Sequence, residues 1–392
     1  MLGATRPRRL TQRARRMPWT RTGFPPMKIE NITTRIVKLP TRDLMITGNI
    51  RIDSIWILVV DLETDQGARG RSYIWGFNKA GADTLRGVVE HLSSVVLGEN
   101  PFFTTKLWAR MWQATIQWGH GGMAIMGMGA IDAAAWDLIG CVANQPLANL
   151  LGRKLDRVPV YASGLWITDD LQQLAREAAV HLEHGFRAMK MRVGRGDVDR
   201  DVAAVRAVRD VVGPSVDLMV DFSSAPSRSY ATRLAHALEP FALFWIEDPI
   251  ADEDVEDHAA LARDTRTPIC FGEKVYTPQG LQKIIAAHAA DVLMVDLQRA
   301  GGVTGWTRCA AMADAARLPL TSHLLPELNV HLMASAPTGI YLEYVDWAQD
   351  LFTEKMRLSN GHVDVPDRPG FGLAWDDERL RHYTQHHQNF HR

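Results

Sequence analysis

The chain has 392 residues, 46% of them hydrophobic and 23% charged, a composition of ordinary folded proteins and a length suited to two domains. Its 45 acidic residues nearly cancel its 44 basic ones, which argues against nucleic acid or an anionic membrane as a general partner. Cys141, Cys270 and Cys309 lie far apart and form no CxxC pair, which disfavours a disulfide framework and reads as buried thiols in a reducing, cytoplasmic setting.

Residues 1–26 are arginine-rich, contain no acid and lack the apolar core of a signal peptide. A basic arm or organelle address is one reading. A disordered leader, or an over-extended start ahead of Met27, is preferred because nothing in the segment could bury a core. From Met27 three strand-like runs, KIENITTRIVKL, DSIWILVVDLETDQG and ARGRSYIWG, predict an antiparallel meander with a turn at Asp65-Gln66-Gly67. Residues 41–51, between the first two runs, read as a loop long enough to be functional. Helical periodicity then takes over at 82–97, 104–117 and 123–141, completing an α+β domain over residues 27–152. The last of these helices is apolar, but Asp132 and Asp137 interrupt it, so a buried helix is expected rather than a membrane span.

Over residues 153–350 continuous apolar strands alternate with helical stretches: VPVYASG, FRAMKMRV, DLMVD, ALFWIED, PICFGE, VLMVD, LPLTSH and IYLE. Such strands suit a parallel sheet covered by helices. Their ends carry Lys190 and Arg192, then Asp221, Glu247, Glu273, Asp296, His323 and Glu343. Asp221 and Glu247 are 26 residues apart, as are Glu247 and Glu273, and the later intervals are 23, 27 and 20. Each interval is the length of one βα unit, and a closed βα barrel gathers such positions at one mouth. The tail, residues 351–392, is turn-rich and is expected to pack back on the first domain.

Three carboxylates on consecutive strands, Asp221, Glu247 and Glu273, repel one another unless a cation neutralises them. An all-oxygen set suits Mg²⁺. The alternative is three unrelated surface acids, and the repeated spacing favours the metal. Asp296 beside His323 would fix the imidazole tautomer and make a general base or acid. Lys190 and Arg192 alternate onto one side of their strand, where two cations suit a small-molecule carboxylate substrate. Glu343, if protonated, could hydrogen-bond an enolate oxygen. Ser223 is placed to contact substrate or a metal water. Gly301-Gly302 lacks the Gly-Lys-Ser/Thr ending of a phosphate loop and reads as a tight turn. Glu327 and His331 read as structural, with Glu327 a weaker substrate candidate.

As a set these motifs resemble the enolase superfamily, specifically the mandelate racemase subgroup, over nearly all of residues 27–385: Asp221, WIEDP, GEK, Asp296 before GGVTG, SHL and LE. The resemblance implies an α/β fold, a (β/α) barrel of the modified TIM type with an N-terminal α+β capping domain. It implies Mg²⁺ on Asp221, Glu247 and Glu273, a His323 and Asp296 dyad, and Glu343 as an acid stabilising an enediolate. It further implies Lys190 against the substrate carboxylate, closure of segment 41–51 over substrate, and an even-numbered homo-oligomer. The subgroup's second barrel strand usually reads Lys-x-Lys, whereas this chain has Arg192, a poor general base near neutral pH. That disfavours a two-base 1,1-proton transfer. Ser223 stands where asparagine is frequent, and Arg299 where the muconate-lactonizing subgroup places a lysine, which argues against that subgroup's paired lysines; Ser223 and Arg299 are taken as substrate-binding candidates. The expected activity is Mg²⁺-dependent dehydration of an acid sugar, an aldonate or aldarate. An epimerase, racemase or cycloisomerase on the same site is the alternative, with a catalytically silent acid-sugar binder as the non-enzymatic one.

Overall fold

The computed structural model describes residues 27–48, 50–224 and 227–391; the basic leader, residues 1–26, lies outside the described residues. Strands β1 (Ile29–Thr47), β2 (Ile50–Thr64) and β3 (Arg69–Trp75) form an antiparallel meander. Helices α1 (Lys79–Val96), α2 (Thr104–Ala114), α3 (Gly122–Ala143) and a short α4 (Leu147–Leu150) follow. Segment 41–51, expected as a loop, is instead the far end of a long hairpin. Met45, Ile46 and Thr47 pair with Ile52, Arg51 and Ile50 beyond an irregularity after Pro40, which has no N–H to give the ladder. Met45 and Ile52 are buried, so the hairpin has an apolar side to close on the rest of the molecule.

Eight parallel strands come next: β4 (Arg157–Ser163), β5 (Ala188–Arg192), β6 (Asp217–Asp221), β7 (Ile246–Glu247), β8 (Ile269–Phe271), β9 (Val292–Asp296), β10 (Leu320–His323) and β11 (Gly339–Tyr344). They pair in chain order, and β11 returns to β4 to close the barrel. Helices α5 (Leu171–Glu183), α6 (Val198–Val212), α7 (Arg228–Leu238), α8 (Val255–Asp264), α9 (Thr277–Ala287), α10 (Gly302–Ala316) and α11 (Pro326–Ser335) connect them. Beyond β11, the ribbon β12 (Leu358–Ser359) and β13 (His362–Asp364) pairs antiparallel with the start of β4. After α12 (Asp377–Tyr383), strand β14 (Thr384–His391) lies antiparallel on β1, making the cap sheet four-stranded.

Tyr161, Met219, Trp245, Cys270 and Met294 form an apolar cluster inside the barrel. It is a floor on which polar strand ends can stand. Helix α3 is the seam between cap and barrel. Its Asp132 accepts from the Thr304 N–H at 2.8 Å and the Thr304 hydroxyl at 2.7 Å, both on α10. Its Asp137 accepts from the N–H groups of Arg71 and Phe371. Burial raises Asp132 to about 7 and Asp137 to about 6, against those hydrogen bonds. The two acids that interrupt the apolar helix are therefore its fastenings. Cys270 and Cys309 are buried, but Cys141, expected to be buried too, is exposed where α3 leaves its packing partners.

Gly70 on β3 allows α3 to approach: a Cβ there would stand 2.3 Å from the Ala134 carbonyl and 2.4 Å from the Leu138 nitrogen. Gly70→Ala should cost about 1–3 kcal/mol, the range for overpacking. A thermal midpoint equal to that of the wild type would show that the seam yields freely.

Candidate active site

The barrel register sets the site. Arg192 pairs with Asp221, Asp221 with Glu247, and Asp296 with His323 across neighbouring strands. Glu343 ends up beside Tyr161, which closes the ring of strand ends. Lys190 is 1% exposed, and its ammonium bridges Glu247 and Glu343, the latter at 3.0 Å. Burial alone would lower its pKa, but those two carboxylates outweigh it and hold the lysine charged.

His323 Nδ1 lies 2.6 Å from Asp296 Oδ2, and its Nε2 lies 3.2 Å from Glu273 Oε2. Burial lowers the imidazole, yet Glu273 and Asp296 together lift it above its ordinary value. Asp296 also accepts from the Arg299 N–H at 2.7 Å. Arg299 itself, expected to bind substrate, directs its guanidinium to the Glu273 carbonyl at 2.7 Å and to Asp296 at 3.5 Å. Its place is therefore behind the dyad, bracing the strand ends that carry Asp296 and Glu273.

Glu343, expected as the acid that stabilises an enediolate, is ringed by hydrogen-bond donors. It accepts from the Ser163 hydroxyl at 2.6 Å and the Leu324 N–H at 2.7 Å, besides facing Lys190. Burial raises it, but Lys190, His323, Arg192 and the Ser163 hydrogen bond prevail and lower it to about 2. Both of its oxygens accept hydrogen bonds in this geometry.

The three carboxylates expected to converge share one mouth without meeting. Among the described residues, no three His, Cys, Asp or Glu side chains stand close enough to hold a metal. Glu247 turns to Lys190 and to the Trp245 indole N–H, Glu273 to His323, and Asp221 to the Ser223 N–H and Arg192. What they share is excess charge. Burial pushes the Glu247 carboxyl well up; Lys190 opposes the rise, while Asp221, Glu273 and Glu343 add to it. Seven carboxylates, Asp221, Glu247, Asp248, Asp252, Glu273, Asp296 and Glu343, face four fixed cations, Lys190, Arg192, Lys274 and Arg299. The all-oxygen donor set and its excess of acids over bases fit a hard divalent cation.

Arg192 is 5% exposed and points into the mouth. Its guanidinium donates to the Gly164 carbonyl at 3.0 Å and the Ser163 hydroxyl at 2.9 Å, stands 3.4 Å from Asp221, and lies over the Trp166 ring at 4.1 Å. Ser223 follows Asp221 at φ +48°, and its hydroxyl meets that of Thr47 at the hairpin end. The long hairpin thus reaches the strand ends. Beside it, a cavity of about 710 Å³ runs between the hairpin, Ser163, Gly164 and Trp166, helix α5 and the residues after β11.

Two family models match this chain: the mandelate racemase / muconate lactonizing enzyme N-terminal domain over residues 32–152, and the enolase C-terminal domain-like model over residues 173–379. The protein is an enzyme of the enolase superfamily, mandelate racemase subgroup. A 3,6-anhydro-alpha-L-galactonate cycloisomerase from Streptomyces coelicolor is 36% identical over 355 residues, covering 90% of this chain and 98% of that one. An L-talarate/galactarate dehydratase from Salmonella typhimurium is 30% identical, covering 87% of this chain and 86% of that one. Among solved structures, an L-talarate dehydratase from Polaromonas sp. JS666, complexed with Mg and L-glucarate, superposes with a TM-score of 0.88 at 32% identity, covering 93% of this chain and 100% of that one.

Several residues of this superfamily member were not evident as site residues from sequence. Ser163 ties Glu343 to Arg192. Lys274 bridges Asp248 at 2.8 Å and Ser224 at 2.9 Å. Asn329 donates to the His323 and Leu324 carbonyls and holds the turn beyond β10, where Leu324 and Leu325 both have positive φ. Asp248 and Lys274 adjoin metal-type acids in WIEDP and GEK, a signal that proximity alone could have supplied. Glu327 bonds the Tyr73 hydroxyl and His331 the Phe371 carbonyl at 3.0 Å, so both serve packing across the fold.

With His323 raised, the neutral form that can accept a proton is lost as pH falls through a pKa above the ordinary histidine value. Asp296→Asn removes one of the raising charges, so the acid limb of kcat/KM should move to lower pH. Turnover should also fall by roughly a thousandfold or more, because the amide oxygen would stay on the Arg299 N–H and its NH2 would face Nδ1, favouring the wrong tautomer. A pH–rate profile with an unmoved limb would refute this role for Asp296.

Proposed function

We propose that the enzyme dehydrates an acid sugar, an aldonate or aldarate. The observation that carries this reading is the pairing of one strong base, His323 held by Asp296, with an arginine rather than a lysine at the other basic position. His323 takes the proton from the carbon α to the carboxylate and then returns it to the departing 3-hydroxyl, which leaves as water. The resulting enol tautomerises to a 2-keto-3-deoxy acid. A single proton shuttle completes this elimination, whereas racemisation needs an acceptor on the opposite face, which a guanidinium, a cation with no free lone pair to take a proton, does not provide.

Lys190 and Arg192 hold the substrate carboxylate and a hydroxyl, and Glu343 keeps Lys190 and Ser163 aimed. Asp221, Glu247 and Glu273 are the residues that would hold Mg²⁺, which the Polaromonas relative binds together with L-glucarate. When bound, the ion supplies positive charge against these acids and the charge developing on the substrate carboxylate. Unpaired Cys270 and Cys309 support a reducing, cytoplasmic location.

A second reading is intramolecular isomerisation, favoured by the 36% identity to the Streptomyces cycloisomerase. Mass separates the two: dehydration yields a product lighter by one water, and isomerisation leaves the mass unchanged. Incubating an acid-sugar library with Mg²⁺-loaded protein should give a 2-keto-3-deoxy product. Chelation should abolish turnover and Mg²⁺ restore it, and His323→Asn should lower it by at least about 100-fold. Full turnover by His323→Asn would sink the assignment of the base, and isomeric product alone would favour the cycloisomerase.

A further inference from the structure

The structure assigns Glu177, on the outer helix α5, as the positioning residue for Arg192. The two side chains sit on either side of the turn that follows β4, and every link between them is a hydrogen bond. Glu177 Oε1 accepts from the Leu165 N–H at 2.7 Å. The Leu165 carbonyl accepts from the Arg192 N–H at 3.1 Å, and the Gly164 carbonyl accepts from the Arg192 guanidinium at 3.0 Å. Ser163, one residue earlier, accepts from Arg192 at 2.9 Å and donates to Glu343 at 2.6 Å.

This turn would not hold its shape unaided. Leu165 has φ +50°, a left-handed conformation that a leucine adopts only when its surroundings enforce it. The carboxylate on its N–H is that enforcement. Gly164 makes the approach possible: a Cβ there would stand 2.8 Å from Glu177 Oε1 and 2.9 Å from His181 Nε2. His181, one helical turn beyond Glu177, lies 3.6 Å from the same oxygen and steadies it. Burial raises the Glu177 carboxyl, but His181, the Leu165 N–H and the Arg192 charge together lower it, so it remains an anion. The glutamate thus touches no strand end itself and acts on the mouth through the Leu165 and Gly164 backbone, with the Ser163 hydroxyl next in the chain.

The inference rests on Arg192 as a substrate contact, so the test has one arm that needs no substrate. In Glu177→Ala, the Leu165 and Arg192 amides should exchange with solvent at least about tenfold faster by hydrogen-exchange mass spectrometry or NMR. Glu177→Gln retains an acceptor and should stay within about twofold of the wild type. On an acid sugar that the wild type turns over, kcat/KM should fall by about 100-fold in Glu177→Ala, the order expected for a misplaced contact group, and recover in Glu177→Gln. In an Arg192→Ala background, Glu177→Ala should cost almost nothing further. Gly164→Ala, which displaces the carboxylate without deleting it, should reproduce the exchange pattern if Glu177→Ala proves too unstable to study. Unchanged exchange at Arg192, or costs that multiply in the double variant, would overturn the assignment. If the wild type turns over no acid sugar, the proposed function fails separately and the exchange arm still decides the role of Glu177.

Discussion

One buried ammonium organises the barrel mouth. Lys190 sits between Glu247 and Glu343, carboxylates contributed by strands on opposite sides of β5 in the closed ring. Removed from water, each of the three charges would be strongly unfavourable alone, and together they are tolerable only because each contacts its counter-charge directly. The apolar floor of Tyr161, Met219, Trp245 and Met294 makes that arrangement necessary. It also makes it effective, since the low dielectric of a water-free floor below the ammonium strengthens each attraction above it. Around this centre lie the His323 and Asp296 pair, Arg192 with Asp221, and Lys274 with Asp248. The mouth is a ring of compensated charges with a remaining negative excess.

The turns leaving the strands are strained in a consistent way. Leu165, Ser223, Ser224, Asp248, Leu324 and Leu325 all have positive φ without being glycine. They follow β4, β6, β7 and β10, four of the strands that carry site residues. Each such residue costs of order 1–3 kcal/mol and persists where surrounding contacts over-determine it. The hydrogen bonds to Leu165, Ser223, Ser224 and Leu324 provide that determination. Strain here fixes side-chain direction at the mouth with little freedom to relax.

Much of this was legible in the sequence because a βα barrel repeats. Apolar strands ending in one charge, at nearly constant spacing, located Asp221, Glu247, Asp296, His323 and Glu343 on their strands and Glu273 just beyond β8. The turn at Gly67 followed from local chemistry alone. The hairpin at 41–51 was hidden because its pairing is broken after Pro40 and its sequence does not alternate cleanly. The orientation of Glu343 and Arg299 was hidden for another reason. Spacing says which strand end a residue occupies, whereas its partners, here Ser163, the Leu324 N–H and the Glu273 carbonyl, come from elements distant in the chain. Glu177 is the extreme case, an ordinary glutamate on an amphipathic helix until the turn beneath it is seen.

The return of β14 to β1 bears on how the molecule is made. Thr33 hydrogen-bonds Asn389, a separation of 356 residues, so the outermost pairing of the cap sheet joins segments from nearly opposite ends of the chain. During synthesis the β1 edge emerges early and has no strand beside it until the whole barrel has been translated. Such long-range pairing forms slowly, and an open sheet edge invites a strand from another chain. The cap is therefore where a nascent or truncated molecule is most exposed to misassociation, while the barrel, built from neighbours in sequence, can close before the last strand arrives.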